Sequence, residues 1–347
     1  MEEALLGLPP FVNGTFSSEC DYKIAELLYS IAAPIVIFIT LCFNVLYIIL
    51  VNYDKDDRSA STVQATGISI SNTLHGVSQL PILFYFFLRD NMADPVSPNW
   101  CNAYRILGFI LPNIFHTATL WQLAVYGIQR FLCFRWPFSA LVWYKVDRFL
   151  KFTVIIYVCA SIIHSYKFFD FVHESGEPCT FSYRNGINTT YYAPFYYWLC
   201  AIAVQIVPCV TMSICVVLLI YAIHFNYLRR KRVFVNSLTA LPRNRKSTMQ
   251  ECQSLGILII TLAVEWPLTL LIILHITYSD TTSEECAYTP LVIAHFTLLL
   301  SYLLFLPVYL ILNFELRRTF ILLKSDVTIF FMRHLQIDVN SDDVDQQ

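Results

Sequence analysis

Seven stretches of this chain, at roughly 27–51, 62–88, 101–134, 149–171, 194–225, 252–277 and 291–313, are long and apolar enough to cross a bilayer. No other feature restricts the fold as strongly. A backbone in lipid must satisfy its own hydrogen bonds, and a helix does so within one segment. Composition agrees: the chain is 56% hydrophobic and 14% charged, with mean hydropathy +0.55, whereas a soluble protein is about a quarter charged. The expected fold is an all-α membrane protein, a seven-helix bundle over 27–313. A segment 1–26 precedes it, an amphipathic eighth helix at 314–324 lies on the membrane surface, and an acidic tail, 325–347, reads as disordered.

Charge sets the orientation. With the N-terminus outside, eighteen Lys and Arg fall on the inner side and five on the outer, the bias that cytoplasmic loops carry. The sequons at Asn13 and Asn188 both fall outside, as glycosylation requires. The opening residues are acidic and broken by Pro9 and Pro10, so no removable signal is read, and the first helix serves as its own insertion signal. Of eleven cysteines, Cys20, Cys101, Cys179 and Cys286 lie on the oxidising side, an even number. We pair Cys101 with Cys179, tying the third helix to the second outer loop, which leaves Cys20 with Cys286. The charge pattern has no basic face for nucleic acid, and no internal repeat points to a solenoid.

The third helix organises the rest. Asn113, His116, Leu120, Leu123, Gly127 and Arg130 recur in steps of three and four, which places them on one face. From Cys101 to Arg130 the helix rises roughly 43 Å, more than the roughly 30 Å apolar slab, so it crosses tilted with a polar group near one end and a cation at the other.

Seven spans, Cys101 at the head of the third and Arg130 at its foot resemble a rhodopsin-like (class A) G-protein-coupled receptor. The run Leu111-Pro112-Asn113-Ile114-Phe115-His116-Thr117-Ala118, followed by Gln129-Arg130-Phe131, is similar to the invertebrate branch of sex-peptide, myoinhibitory-peptide and myosuppressin receptors. Lys167-Phe168-Phe169-Asp170, Pro208-Cys209 and Glu265-Trp266-Pro267 match further elements of that branch, and nematode myosuppressin-receptor-like proteins are the group it most resembles. The departures are Asn72 in place of the Asp of helix two, Phe131 after the Arg, and Phe305-Leu306-Pro307-Val308-Tyr309 in place of Asn-Pro-x-x-Tyr. In the family that Asp and Asn help to hold sodium, so the resemblance implies that the sodium site is lost here.

Each candidate residue has a plain reading beside the functional one. Glu265 is the only carboxylate deep in a span; ionised and unpaired it is costly, so it is either neutral and hydrogen-bonded or a pocket floor for a cationic ligand group. Asn113 and His116 are satisfied core residues or ligand contacts. Asp170 is a solvated helix end, or a carboxylate that takes a guanidinium from a basic peptide. Phe168 and Trp266 are interface aromatics or pocket lining. Gln129, Arg130 and Phe131, with the kink at Pro267 and with Tyr309, form the signalling end by family position. Gln129 lacks the charge of the usual Asp, which leaves the off state less tightly held. His75, His164, His275 and His295 lack ligand spacing, so no metal site and no cofactor are assigned.

The expected function is a receptor rather than an enzyme, since no nucleophile–base pair or metal-binding motif appears. The resemblance implies an extracellular amidated neuropeptide of the FMRFamide-like or myosuppressin-like class as ligand. It also implies a heterotrimeric G protein of Gi/o type as partner, at the plasma membrane. The rival within receptors is a nematode chemosensory receptor for a small external ligand.

Overall fold

A computed structural model describes residues 19–53, 60–89, 97–136, 145–165, 167, 171–173, 181–183, 189–233, 241–278, 289–312, 317–325 and 328. Seven long helices run through them. Helix one covers Glu19–Leu27, Leu28–Ala32 and Ala33–Tyr53; helix two, Ala60–Ile82 and Leu83–Leu88; helix three, Pro98–Ala103, Tyr104–Ile110 and Leu111–Arg135. Helix four is Val146–Ser165. Helix five covers Thr189–Cys200, Ala201–Ile206 and Val207–Val233; helix six is Leu241–Tyr278 and helix seven Thr289–Leu312. The loop between helices four and five adds an antiparallel ribbon of β1, Phe171–His173, on β2, Phe181–Tyr183. This short ribbon is the one departure, among the described residues, from an all-helical chain. The head of helix three touches β1. Residues 317–325 are helical, with Phe320, Ile321 and Leu322 exposed.

Segments inside helices one, three and five, Leu28–Ala32, Tyr104–Ile110 and Ala201–Ile206, and the last segment of helix two, Leu83–Leu88, widen into π turns. Such wider turns recur at functional sites.

Helix three is the axis. It packs against helices two, four, five and six, while helix seven closes the ring onto helices one, two and six. Over an apolar stretch of eighteen residues 67% of it is buried, against 33% to 35% for the same length of the other four apolar spans among the described residues. A helix enclosed on four sides buries more than one stripe. Asn113, His116, Leu120, Leu123 and Gly127 are buried as their spacing predicts, but so are Thr117, Ala118, Thr119, Gln122 and Tyr126. Elsewhere the apolar residues turn outwards: Ile35, Phe38, Val154, Ile162, Val217 and Ile311 are all more than half exposed, the surface a bilayer covers. Five helices are long and apolar enough over the described residues to cross a membrane. Helix two is more polar, and its polar row of Gln64, Ser69, Ser71, Asn72, His75 and Gln79 is buried against its neighbours.

Two apolar clusters fill the bundle. One, at the Cys101 end, gathers Tyr29, Leu83, Phe86, Tyr104, Tyr197, Ile272 and Leu299. The other, towards Arg130, gathers Tyr47, Leu50, Leu120, Met212, Leu258, Phe305 and Tyr309. Between them lies the polar core.

Candidate functional site

His116 stands at the crossing of four helices and is fully buried. Along the helix it lies about 22 Å from Cys101 and about 21 Å from Arg130, halfway through the bundle. Its Nδ1 is 2.6 Å from the Tyr302 hydroxyl of helix seven, and its Nε2 is 3.0 Å from Gln205 Nε2 of helix five. An amide nitrogen only donates, so Nε2 accepts and Nδ1–H donates to Tyr302. The Thr269 hydroxyl directs its one proton to the Glu265 carbonyl at 2.7 Å, with Gln205 Oε1 as the more distant acceptor at 3.4 Å.

A second pair of histidines extends the core. The Pro112 carbonyl accepts from His75 Nδ1 at 3.0 Å. The ring therefore turns Nε2 to the Gln79 amide at 3.4 Å, which also donates to His295 Nε2 at 3.1 Å. His295 Nδ1 then donates to the Tyr29 hydroxyl at 2.9 Å. The rings of His75 and Tyr302 meet edge to face at 5.1 Å. Beside this core, His164 of helix four bonds Thr117 at 2.8 Å and Tyr196 at 3.1 Å. Four histidines thus tie all seven helices together. Buried polar groups in a low-dielectric interior stabilise only when satisfied.

Several buried polar atoms of the core lack a partner, Gln79 Oε1 and Asn113 Oδ1 among them, and one such atom is a carboxylate oxygen. Glu265 is 1% exposed and its Oε2 has no hydrogen-bond donor. The nearest polar neighbour recorded is His116 Nε2 at 3.6 Å, too far for a hydrogen bond. That nitrogen's lone pair is already taken by Gln205. The carboxylate oxygen therefore faces an acceptor, and the core is one donor short at this place.

Trp266 does not join the core. It is 40% exposed and its indole donates to Ser213 Oγ of helix five at 3.0 Å. Its neighbour in sequence explains this. Glu265, one place earlier, is the member of the pair that turns into the bundle. One residue further along is about 100° further round the helix, so Trp266 turns to the outer surface. Asn113 is buried with its amide donating to the Phe109 carbonyl at 3.0 Å. Lys167 is 4% exposed; its Nζ lies over the rings of Phe109, Tyr196 and Tyr197 at 5.9, 5.1 and 5.3 Å. Burial of the stem with the charge on aromatic faces offsets the loss of water. Phe168, Asp170, Cys179, Cys286, Asn13 and Asn188 lie outside the described residues, as do the side chains of Cys20 and His275. Cys101 is disulfide-bonded.

Towards the other end, Asn72 accepts from Thr119 at 2.9 Å and Asn44 accepts from Ser69 at 2.6 Å. Where the family has the Asn of helix seven, Phe305 packs on Tyr47 and Tyr309, with centroids 6.3 and 5.9 Å away. An aromatic cluster holds that position in place of an ion's ligands. Gln129 is buried, and Arg130 lies with Cζ 5.0 Å over the Tyr126 ring. Phe131 packs on this lower cluster and edge to face on Trp136 at 6.4 Å. Pro267 lies inside helix six, where its missing N–H frees a carbonyl and leaves a place to bend.

The sequence missed the roles of His75, His164, His295, Gln79, Gln205, Tyr29 and Tyr302. Their spacing on their own helices carries no signal. The available clue was six polar side chains of helix two within nine positions, Ser71, Asn72, Thr73, His75, Ser78 and Gln79, too many for a lipid-facing surface.

Comparison with known proteins gives the same architecture. Residues 43–305 match the family "7 transmembrane receptor (rhodopsin family)". The Drosophila melanogaster "Sex peptide receptor" is 24% identical over 328 residues, covering 89% of this chain and 74% of that protein. That relative falls in the branch whose helix-three run this chain resembles. The match takes in most of the seven-helix bundle, including His116, Arg130 and Glu265, and the chain belongs to the rhodopsin family of seven-transmembrane, G-protein-coupled receptors.

Proposed function

We propose that the chain is a cell-surface receptor for an amidated neuropeptide of the FMRFamide-like or myosuppressin-like class, with its N-terminus outside and a Gi/o-type G protein as partner. The observation that carries this reading is the donorless Oε2 of Glu265, the one carboxylate among the buried core atoms, of those described, that lack a partner. A ligand cation that reaches it supplies the missing donor. A guanidinium suits it best, because it brings several N–H groups in a fixed plane. Peptides ending in Arg-Phe-amide carry such a group beside an aromatic ring, and Phe86, Tyr104 and Tyr197 lie towards the Cys101 end. Asp170 adds a second carboxylate at the outer mouth. The likeness to a receptor whose name states a peptide ligand supports the same class. On binding, helix six swings about Pro267 and opens the Arg130 end. The ligand shifts that equilibrium only through its differential affinity for the two states.

The test is a cell-based G-protein activation screen with synthetic amidated peptides. Glu265→Gln keeps the shape and removes the charge. Losing a charge-assisted hydrogen bond costs about 2 kcal/mol, roughly 30-fold in potency. If Glu265→Gln and Asp170→Asn both respond like the parent, the pocket assignment is wrong. If small external molecules activate and no amidated peptide does, the chemosensory reading replaces this one.

A further inference from the structure

Gln79 lies one turn from His75 on helix two, on the side nearer the Cys101 end, and is 0% exposed. Two histidines hold its amide in one orientation. His75 Nδ1–H donates to the Pro112 carbonyl at 3.0 Å, so its Nε2 has only a lone pair to offer. The Tyr29 hydroxyl gives its proton to the Val292 carbonyl at 3.5 Å and accepts from His295 Nδ1 at 2.9 Å, so His295 Nε2 is a lone pair as well. Gln79 Nε2 lies 3.4 Å from the first and 3.1 Å from the second. Both amide protons are thereby spent, and turning the amide over would set Oε1 against two acceptors. Oε1 itself is left without a donor. Donating both N–H groups polarises the amide and strengthens Oε1 as an acceptor. It is distinct from the unpaired oxygen of Glu265. That oxygen lies 3.6 Å from His116, Gln79 bonds His75, and the rings of those two histidines are 6.1 Å apart.

We propose that Gln79 reads the carboxamide that closes the ligand, its Oε1 accepting one N–H of the terminal amide. This rests on the reading of the chain as a receptor for an amidated peptide, and it gives the two polar groups of an Arg-Phe-amide end different acceptors. The guanidinium goes to the carboxylate of Glu265, where its charge is matched; the neutral amide N–H goes to a neutral carbonyl. The same atom excludes the peptide's free acid. A carboxylate has no proton to give Oε1. Neither histidine bonded to Gln79 has an N–H left for it, since the Nδ1–H groups are engaged by Pro112 and Tyr29. Burying that charge without a partner is costly, so selectivity comes from the bond the acid fails to make as much as from the bond the amide gains. His75, His295 and Tyr29 are positioning residues, because they fix which way the Gln79 amide faces.

The test is agonist-driven nucleotide exchange on purified heterotrimeric G protein by full-length receptor in nanodiscs. Each peptide active in the amide screen, Phe-Met-Arg-Phe-amide first, is remade as its methyl ester, which is neutral but has no terminal N–H, and as its free acid. On the parent the amide should exceed the ester about fivefold in potency, the effect of one neutral hydrogen bond, and the free acid should be weaker than the ester. Gln79→Met keeps the length of the side chain and removes the acceptor, so it should bring the amide-to-ester ratio down to about one. A purely structural role for Gln79 would instead weaken amide and ester together and leave the parent's ratio. Glu265→Gln should weaken both and keep the ratio, because it touches a different atom. Equal potency of amide and ester on the parent overturns the assignment without any variant having to fold. So does a Gln79→Met receptor, folded by its thermal midpoint, that keeps the parent's ratio, and so does a ratio that collapses in Glu265→Gln. A parent that answers no amidated peptide overturns the ligand class itself.

Discussion

Tyr302→Phe tests the polar core at a single atom. The ring that meets His75 at 5.1 Å is kept, so apolar packing is unchanged and only the hydroxyl bonded to His116 Nδ1 at 2.6 Å is lost. His116 is 0% exposed and its other nitrogen is engaged by Gln205, so Nδ1–H is left without an acceptor. Stranding a buried donor costs about 1–3 kcal/mol, and a short bond between two enclosed groups belongs near the middle, about 2 kcal/mol. For a chain of this length each kcal/mol moves the midpoint by about 2 °C, which gives a fall of about 4 °C. The assay follows a thiol-reactive fluorophore during heating of detergent-solubilised receptor at a fixed scan rate. Cys200, Cys209 and Cys215 are buried and free, so they react as the bundle opens. Trp266→Phe is the control. It also loses one hydrogen bond, but at a half-exposed site, and should fall by less than half as much. A Tyr302→Phe midpoint within about 1 °C of the parent would show that the core re-satisfies itself at little cost, and the single-donor argument for Glu265 would fall with it.

Other consequences follow from the same geometry. A Cβ added at Gly127 would lie 3.1 Å from Cys215 Cβ and 3.3 Å from Leu258 Cδ1, so Gly127→Ala should cost about 1–3 kcal/mol through overpacking, read as a lower midpoint in the same assay. With Asn72 bonded to Thr119 and Phe305 in the place of an amide, replacing choline by sodium at fixed ionic strength should leave agonist affinity unchanged; a clear loss would contradict this. Gln129→Asp supplies the carboxylate that Arg130 lacks and should lower basal exchange; an unchanged or higher rate counts against it. An epitope tag fused ahead of Met1 should bind antibody on intact cells, whereas one after Gln347 should need permeabilised cells.

Much of the site was legible on one helix at a time. Steps of three and four put His116 and Leu120 on the buried face of helix three, and Glu265 announced itself as an acid where acids are expensive. For Trp266 the sequence left interface and pocket lining both open, and it is half-exposed because it stands one place, more than a quarter of a turn, from the buried Glu265. Lys167 carried no sign of burial in its own segment. Its burial depends on Phe109, Tyr196 and Tyr197, which come from two other helices.

The amino-acid order alone determined how many times the chain crosses and which helix stands at the axis. Apolar length and local periodicity are properties of contiguous residues, and lipid allows few alternatives. Tertiary structure decided the rest. Tyr29 reaches His295 across 266 positions, His116 reaches Tyr302 across 186 and Tyr126 reaches Ser254 across 128. Whether such groups meet depends on the rotation and tilt of each helix, which packing against neighbours sets.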